Sequence, residues 1–98
     1  MTAIARIGDK TTGICYAHES PITVGGTIVT GSTKTTSEGF SVARLGDLIV
    51  ADCGHYAKII TASDKGTTEG IGIARLGDKG DGSYKCTIIS GSTKDTLA

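Results

Sequence analysis

The chain has 98 residues with ten basic and ten acidic side chains, so its formal net charge is zero. That length allows one small domain over residues 1–98, and the charge balance excludes a dedicated nucleic-acid binder, which would carry a basic stripe. One Phe, one Met and no Trp leave a thin core of Val, Ile, Leu and Ala, and domains this small often need a staple. No run approaches the roughly 18 apolar residues of a membrane span, and the opening Met1-Thr2-Ala3-Ile4-Ala5-Arg6 lacks the apolar stretch of a secretory signal.

From the N-terminus, the first recognisable phrase is Ala5-Arg6-Ile7-Gly8-Asp9, and it returns as Ala43-Arg44-Leu45-Gly46-Asp47 and Ala74-Arg75-Leu76-Gly77-Asp78. A second phrase alternates with it: Ile28-Val29-Thr30-Gly31-Ser32, Ile59-Ile60-Thr61-Ala62-Ser63 and Ile88-Ile89-Ser90-Gly91-Ser92. The chain therefore reads as three copies of one unit, the last cut short after Ser92. The second phrases are β-branched and bounded by small residues, and Phe40 to Arg44 alternates apolar with polar. Glu38-Gly39 and Glu69-Gly70 supply turns, so each unit is expected to be a β-hairpin followed by a loop, with almost no helix. The expected fold is all-β: three repeated β-hairpins with equivalent loops.

The loops 10–26, 48–57 and 79–85 are equivalent by the repeat and should gather at one end. They hold or adjoin every Cys and His: Cys15 and His18, Cys53 and His55, and Cys86 closing the third. Three cysteines do not close into disulfides within one chain, so a metal is the better reading, with one bridge and a free thiol as the alternative. Five donors compete for the four places of a tetrahedral ion. Position within the repeat points to His18, Cys53, His55 and Cys86, with Cys15 as the substitute. The ion is expected to be a single zinc, with iron the other possibility. In each Arg-x-Gly-Asp phrase the two charges, three residues apart around a Gly turn, are expected to pair with each other or with nearby backbone groups, rather than bind an anion or face a partner. Nothing assembles a catalytic triad or a Walker-type phosphate loop, so no enzyme activity is expected.

The repeated Ala-Arg-x-Gly-Asp tails, the Ser closing each second phrase and the Cys/His loops resemble the PAAR-repeat proteins, named for a Pro-Ala-Ala-Arg motif. The Pro is absent here from all three copies. Members of that family tip the spikes of contractile injection machines, in phage tails and type VI secretion systems. The resemblance implies a small monomeric cone of three repeated hairpins with pseudo-threefold symmetry and one zinc near its apex, held mostly by histidines with a Cys. It also implies a base seated on a homotrimeric β-helical spike, one tip per trimer, and transient contact with a target-cell envelope. The location implied is a phage baseplate, or the bacterial cytoplasm before ejection. A short chain suggests a bare tip without a fused toxin, a phage baseplate slightly ahead of a type VI apparatus. The rival expectation is a small zinc-binding adaptor that recruits another macromolecule.

Overall fold

A computed structural model describes residues 2–32, 34–37, 39–63, 66–68, 70–92 and 96–97. It contains twelve strands and, among the described residues, no helix: β1 (Thr2–Ala3), β2 (Lys10–Cys15), β3 (Ile22–Ile28), β4 (Thr36–Ser37), β5 (Phe40–Ser41), β6 (Leu48–Ala51), β7 (Tyr56–Ile59), β8 (Thr67–Thr68), β9 (Ile71–Gly72), β10 (Lys79–Gly82), β11 (Tyr84–Ile88) and β12 (Thr96–Leu97). Six of them close into an antiparallel barrel in the order β10-β11-β2-β3-β6-β7. The barrel consists of three hairpins, β2–β3, β6–β7 and β10–β11, each launched by one Ala-Arg-x-Gly-Asp phrase. The molecule measures 38 × 24 × 21 Å.

The segments expected to be loops are thus the larger part of the β structure. Their strands carry few of the alternating large apolar residues that announce a half-buried strand, because inward positions are occupied by Gly, Ala, Thr and Cys. A narrow barrel requires this. A Cβ on Gly80 would sit 2.7 Å from Cys86 Sγ and 2.8 Å from Ile49 Cδ1, and one on Gly26 would meet the Tyr84 ring at 2.8 Å. The hairpins expected around Glu-Gly exist as two-residue ribbons, β4–β5 and β8–β9, turning at Gly39 and Gly70 with φ of 84° and 76°. Glu38 and Glu69 lie outside the described residues. The third unit is not truncated: β12 pairs with β1, Thr2 opposite Leu97, so the two ends of the chain jointly supply the third ribbon.

The three phrases meet on the pseudo-threefold axis. Ala5 N–H donates to Ala74 C=O at 3.0 Å, Ala74 N–H to Ala43 C=O at 2.9 Å, and Ala43 N–H to Ala5 C=O at 2.9 Å. All three alanines are wholly buried, since three side chains share one axis and nothing larger than a methyl has room. After each alanine the chain makes a type II turn: Asp N–H returns to the Arg carbonyl at 3.0 Å in every copy, and the intervening Gly8, Gly46 and Gly77 have φ of 89° to 90°. Only glycine takes that angle without strain.

The Arg and Asp of each phrase pair, as expected from their spacing. Asp47 receives the Arg44 backbone N–H at 2.7 Å and its Nε and second guanidinium nitrogen at 3.1 Å each. Arg6–Asp9 and Arg75–Asp78 repeat the pattern. Each carboxylate also receives a hydroxyl from the preceding unit, Thr30, Thr61 or Ser90, which in turn accepts the N–H opening the next barrel hairpin. One phrase therefore turns the chain, neutralises its own charges and locks two units together.

Above this ring the barrel fills in layers. Ile28, Ile59 and Ile88 occupy equivalent inward positions, joined by Ile49 and Thr11. The next layer is smaller, with Gly26, Ala57 and Cys86 at equivalent positions. The third is Val24, His55 and Tyr84. Tyr84 is fully buried: it donates to the Val24 carbonyl at 3.1 Å and takes a hydrogen bond from Thr11 at 2.9 Å.

Candidate metal centre

The site lies at the hairpin tips, where the barrel no longer has large side chains to fill it. Cys15 is the last residue of β2, in phase with inward-facing Thr11 and Gly13, and is completely buried. Its strand end is tied to the third hairpin by Tyr16 N–H donating to Ser83 C=O at 2.7 Å. His18 follows in the 16–21 tip. Cys53 and His55 come from the tip of β6–β7, which is a tight turn. Gly54 N–H returns to Ala51 C=O at 2.8 Å, and Ala51 N–H bonds His55 C=O at 2.7 Å. Gly54 takes a φ of 92°, the left-handed residue of a three-residue hairpin loop. That fold of the backbone brings the Cys53 thiol and the His55 imidazole together.

The four donor atoms of Cys15, His18, Cys53 and His55 all lie within 4.8 Å of one another. His55 Nδ1 stands 3.5 Å from Cys15 Sγ and 3.4 Å from Cys53 Sγ. Bonds of about 2.0–2.3 Å to a tetrahedral ion place neighbouring N and S donors about 3.5 Å apart, so these separations match the edges of such a tetrahedron. The two imidazoles stand edge to face, 5.0 Å between centroids. His18 Nε2 is buried with no hydrogen-bond partner, an uncompensated cost that a metal bond would remove. Two thiols, two imidazoles and an orphaned ring nitrogen fit a zinc-type ion.

The electrostatics are consistent with that chemistry. The His18 imidazole, and then that of His55, favours the Cys53 thiolate and lowers its pKa from 9.0 to about 6, against the opposing effect of burial. Burial chiefly, with Cys53 alongside, pushes the Cys15 thiol up.

The structure brings together three of the four donors expected from the sequence, His18, Cys53 and His55, and places Cys15 with them. Cys86 does not join the group. It lies on β11 beneath Tyr84, paired with Gly80, and is 6% exposed. Burial raises its thiol pKa, as suits a protonated thiol packed in a core. The physical reason is the shortness of the third hairpin. Its tip is essentially Ser83, and the Tyr84 ring fills the position that His55 takes in the second. Cys86 belongs one layer lower, with Ala57 and Gly26. Register supplies the signal that spacing within loops misses: Cys15 and Cys53 each stand six residues after the Asp of their phrase, whereas Cys86 stands eight after its own.

Three units wound about one axis, with a Cys/His group at the hairpin tips, define a class: small all-β repeat domains with a metal-type centre at one end. The family follows from comparison. The model of the PAAR motif matches residues 18–80, and the chain belongs to the PAAR motif family. Comparison with curated proteins gives no match.

Proposed function

We propose that this chain is the structural tip of a contractile injection spike, in a phage tail or a type VI apparatus, and acts mechanically rather than as an enzyme. Family membership over residues 18–80 supports the tip role. The observation that carries the reading further is the ring of hydrogen bonds joining Ala5, Ala43 and Ala74. One chain thereby acquires threefold symmetry and offers three equivalent ribbons, so it can cap a homotrimeric β-helical spike without mismatch. Equivalent exposed side chains repeat with the same symmetry, Val29, Ile60 and Ile89 among them.

In this reading one zinc is held by Cys15, His18, Cys53 and His55. Bound there, the ion supplies a rigid cross-link between the first two hairpin tips, in a volume too small for a packed apolar core. The protein's own part is to hold two sulfurs and two imidazoles at nearly the required spacing. No helix among the described residues is long and apolar enough to cross a membrane. The tip would act at the point of a virion tail or secretion device during brief contact with a target envelope.

Co-expression with a trimeric β-helical spike fragment tests the proposal. A complex of one chain per trimer is expected, and substituting Val29, Ile60 and Ile89 together with Asp or Lys tests whether that belt joins the interface. Failure to associate with any cognate trimer, by a folded chain, would overturn it.

A further inference from the structure

We propose that Cys15 and Cys53 form a redox pair, which an oxidant of the peroxide class converts to a disulfide bridging the same two hairpin tips as the metal. The inference deepens the metal-centre reading and rests on it for the metal-loaded state. For the metal-free state it needs only the placement of the two sulfurs.

That placement is specific. Both sulfurs converge on one atom, His55 Nδ1, at 3.5 and 3.4 Å, and lie within 4.8 Å of each other. A disulfide needs about 2.05 Å, so the bond requires the two side chains to close the remaining gap at the Asp52-Cys53-Gly54 turn. Exposure divides their roles: Cys53 is partly exposed and meets a small oxidant first, whereas Cys15 is fully buried. The third thiol, Cys86, stands opposite Gly80 and Gly13 on the neighbouring strands and is not among the converging donors.

The chemistry balances with hydrogen peroxide as oxidant. The Cys53 sulfur attacks one peroxide oxygen, and the O–O bond breaks. Sulfur keeps that oxygen as a sulfenic acid, and the other leaves as water with the thiol proton. The Cys15 sulfur then attacks the sulfenic sulfur. The S–O bond breaks, the S–S bond forms, and a second water leaves with the Cys15 proton. Two thiols lose two electrons, and one peroxide becomes two waters. Neither sulfur then remains a thiolate ligand, so a bound ion is released while the two tips stay joined. The cross-link changes kind and keeps its place.

The test treats the full-length chain, stripped with a chelator, with one equivalent of hydrogen peroxide, followed by alkylation and non-reducing tryptic mapping. Two of the three thiols should lose reactivity. The linked peptides should be those of Cys15 and Cys53, with Cys86 still alkylatable. Cys86→Ser should give the same product, and Cys15→Ser should give no intramolecular link. In zinc-loaded protein the link should appear together with zinc captured by a chromophoric chelator. A bridge to Cys86, a Cys53–Cys53 dimer, or three thiols still free would overturn the proposal. Zinc titration of the reduced chain separates the two readings. Disulfide without zinc binding removes the metal centre alone, and zinc binding without disulfide removes the redox pair alone.

Discussion

Arg44 and Asp47 hold the same turn from two sides: the arginine donates to the aspartate through its backbone N–H at 2.7 Å and through its guanidinium at 3.1 Å. Thr30 adds a hydrogen bond at 2.9 Å, and the carboxylate is nearly buried. Asp47→Ala would remove the acceptor shared by the Arg44 backbone N–H, its guanidinium and the Thr30 hydroxyl. The expected loss is about 2–4 kcal/mol in urea unfolding, near the range for removing one partner of a buried pair. Asp9→Ala and Asp78→Ala should cost about the same, because the threefold repeat gives all three carboxylates one environment. Unequal losses would show that the copies are not equivalent energetically.

The axis makes a sharper prediction. Ala43 is wholly buried, so Ala43→Leu should destabilise by about 1–3 kcal/mol through overpacking. Leu45→Ala, two residues away and largely exposed, should cost little. Thermal melts of the two variants measure the contrast.

Metal stoichiometry distinguishes the two candidate ligand sets. Cys15→Ser, His18→Ala, Cys53→Ser or His55→Ala should each lower zinc retention, read by elemental analysis after dialysis against a weak chelator. Cys86→Ser should retain about one ion per chain. Loss of metal in Cys86→Ser with retention in Cys15→Ser would restore the set inferred from loop position.

Acid should loosen the metal-free tip. Cys53 titrates near pH 6 in the fold against an ordinary 9.0, so its thiolate contributes stability that is complete above about pH 9 and is lost as pH falls through about 6. The melting temperature of metal-free protein should therefore decline from pH 8 to pH 5, and Cys53→Ser should flatten that slope.

Tyr84 governs the alkaline side. Its burial raises the phenol pKa above 10.0, Thr11 opposing in part, so its stabilising contribution is complete below pH 10 and is lost as pH rises through the folded-state value. Tyr84→Phe should weaken the fold by about 1–2 kcal/mol at neutral pH, by removing the hydroxyl's bonds to Thr11 and the Val24 carbonyl. It should also shift the alkaline unfolding limb upward.

Much of this design was legible as text. The phrase Ala5 to Asp9 and its two echoes carry the axis, the turn and the ion pair, because each residue type there answers one local demand: a methyl on the axis, a glycine at positive φ, two opposite charges across the turn. The barrel was less legible. Lys79-Gly80-Asp81-Gly82 carries no strand pattern, because Cys86, Ile49 and Ala57 occupy the space that a side chain at Gly80 would need. Counting from the phrase aspartates would have paired Cys15 with Cys53 and set Cys86 apart. What no count supplies is the short third tip, since the burial of Tyr84 depends on packing against Thr11 and Val24 from another hairpin. The pairing of β1 with β12 was hidden for a related reason: two-residue strands carry no periodicity.

That pairing has a consequence for how the molecule is made. Thr2 and Ala3 must wait through more than ninety residues of synthesis before Thr96 and Leu97 exist to receive them. The alanine ring likewise stays open until Ala74 has been added. No single repeat carries these bonds alone, so the ring and the third ribbon should close late and together, like a clasp whose two halves were forged far apart on the same wire.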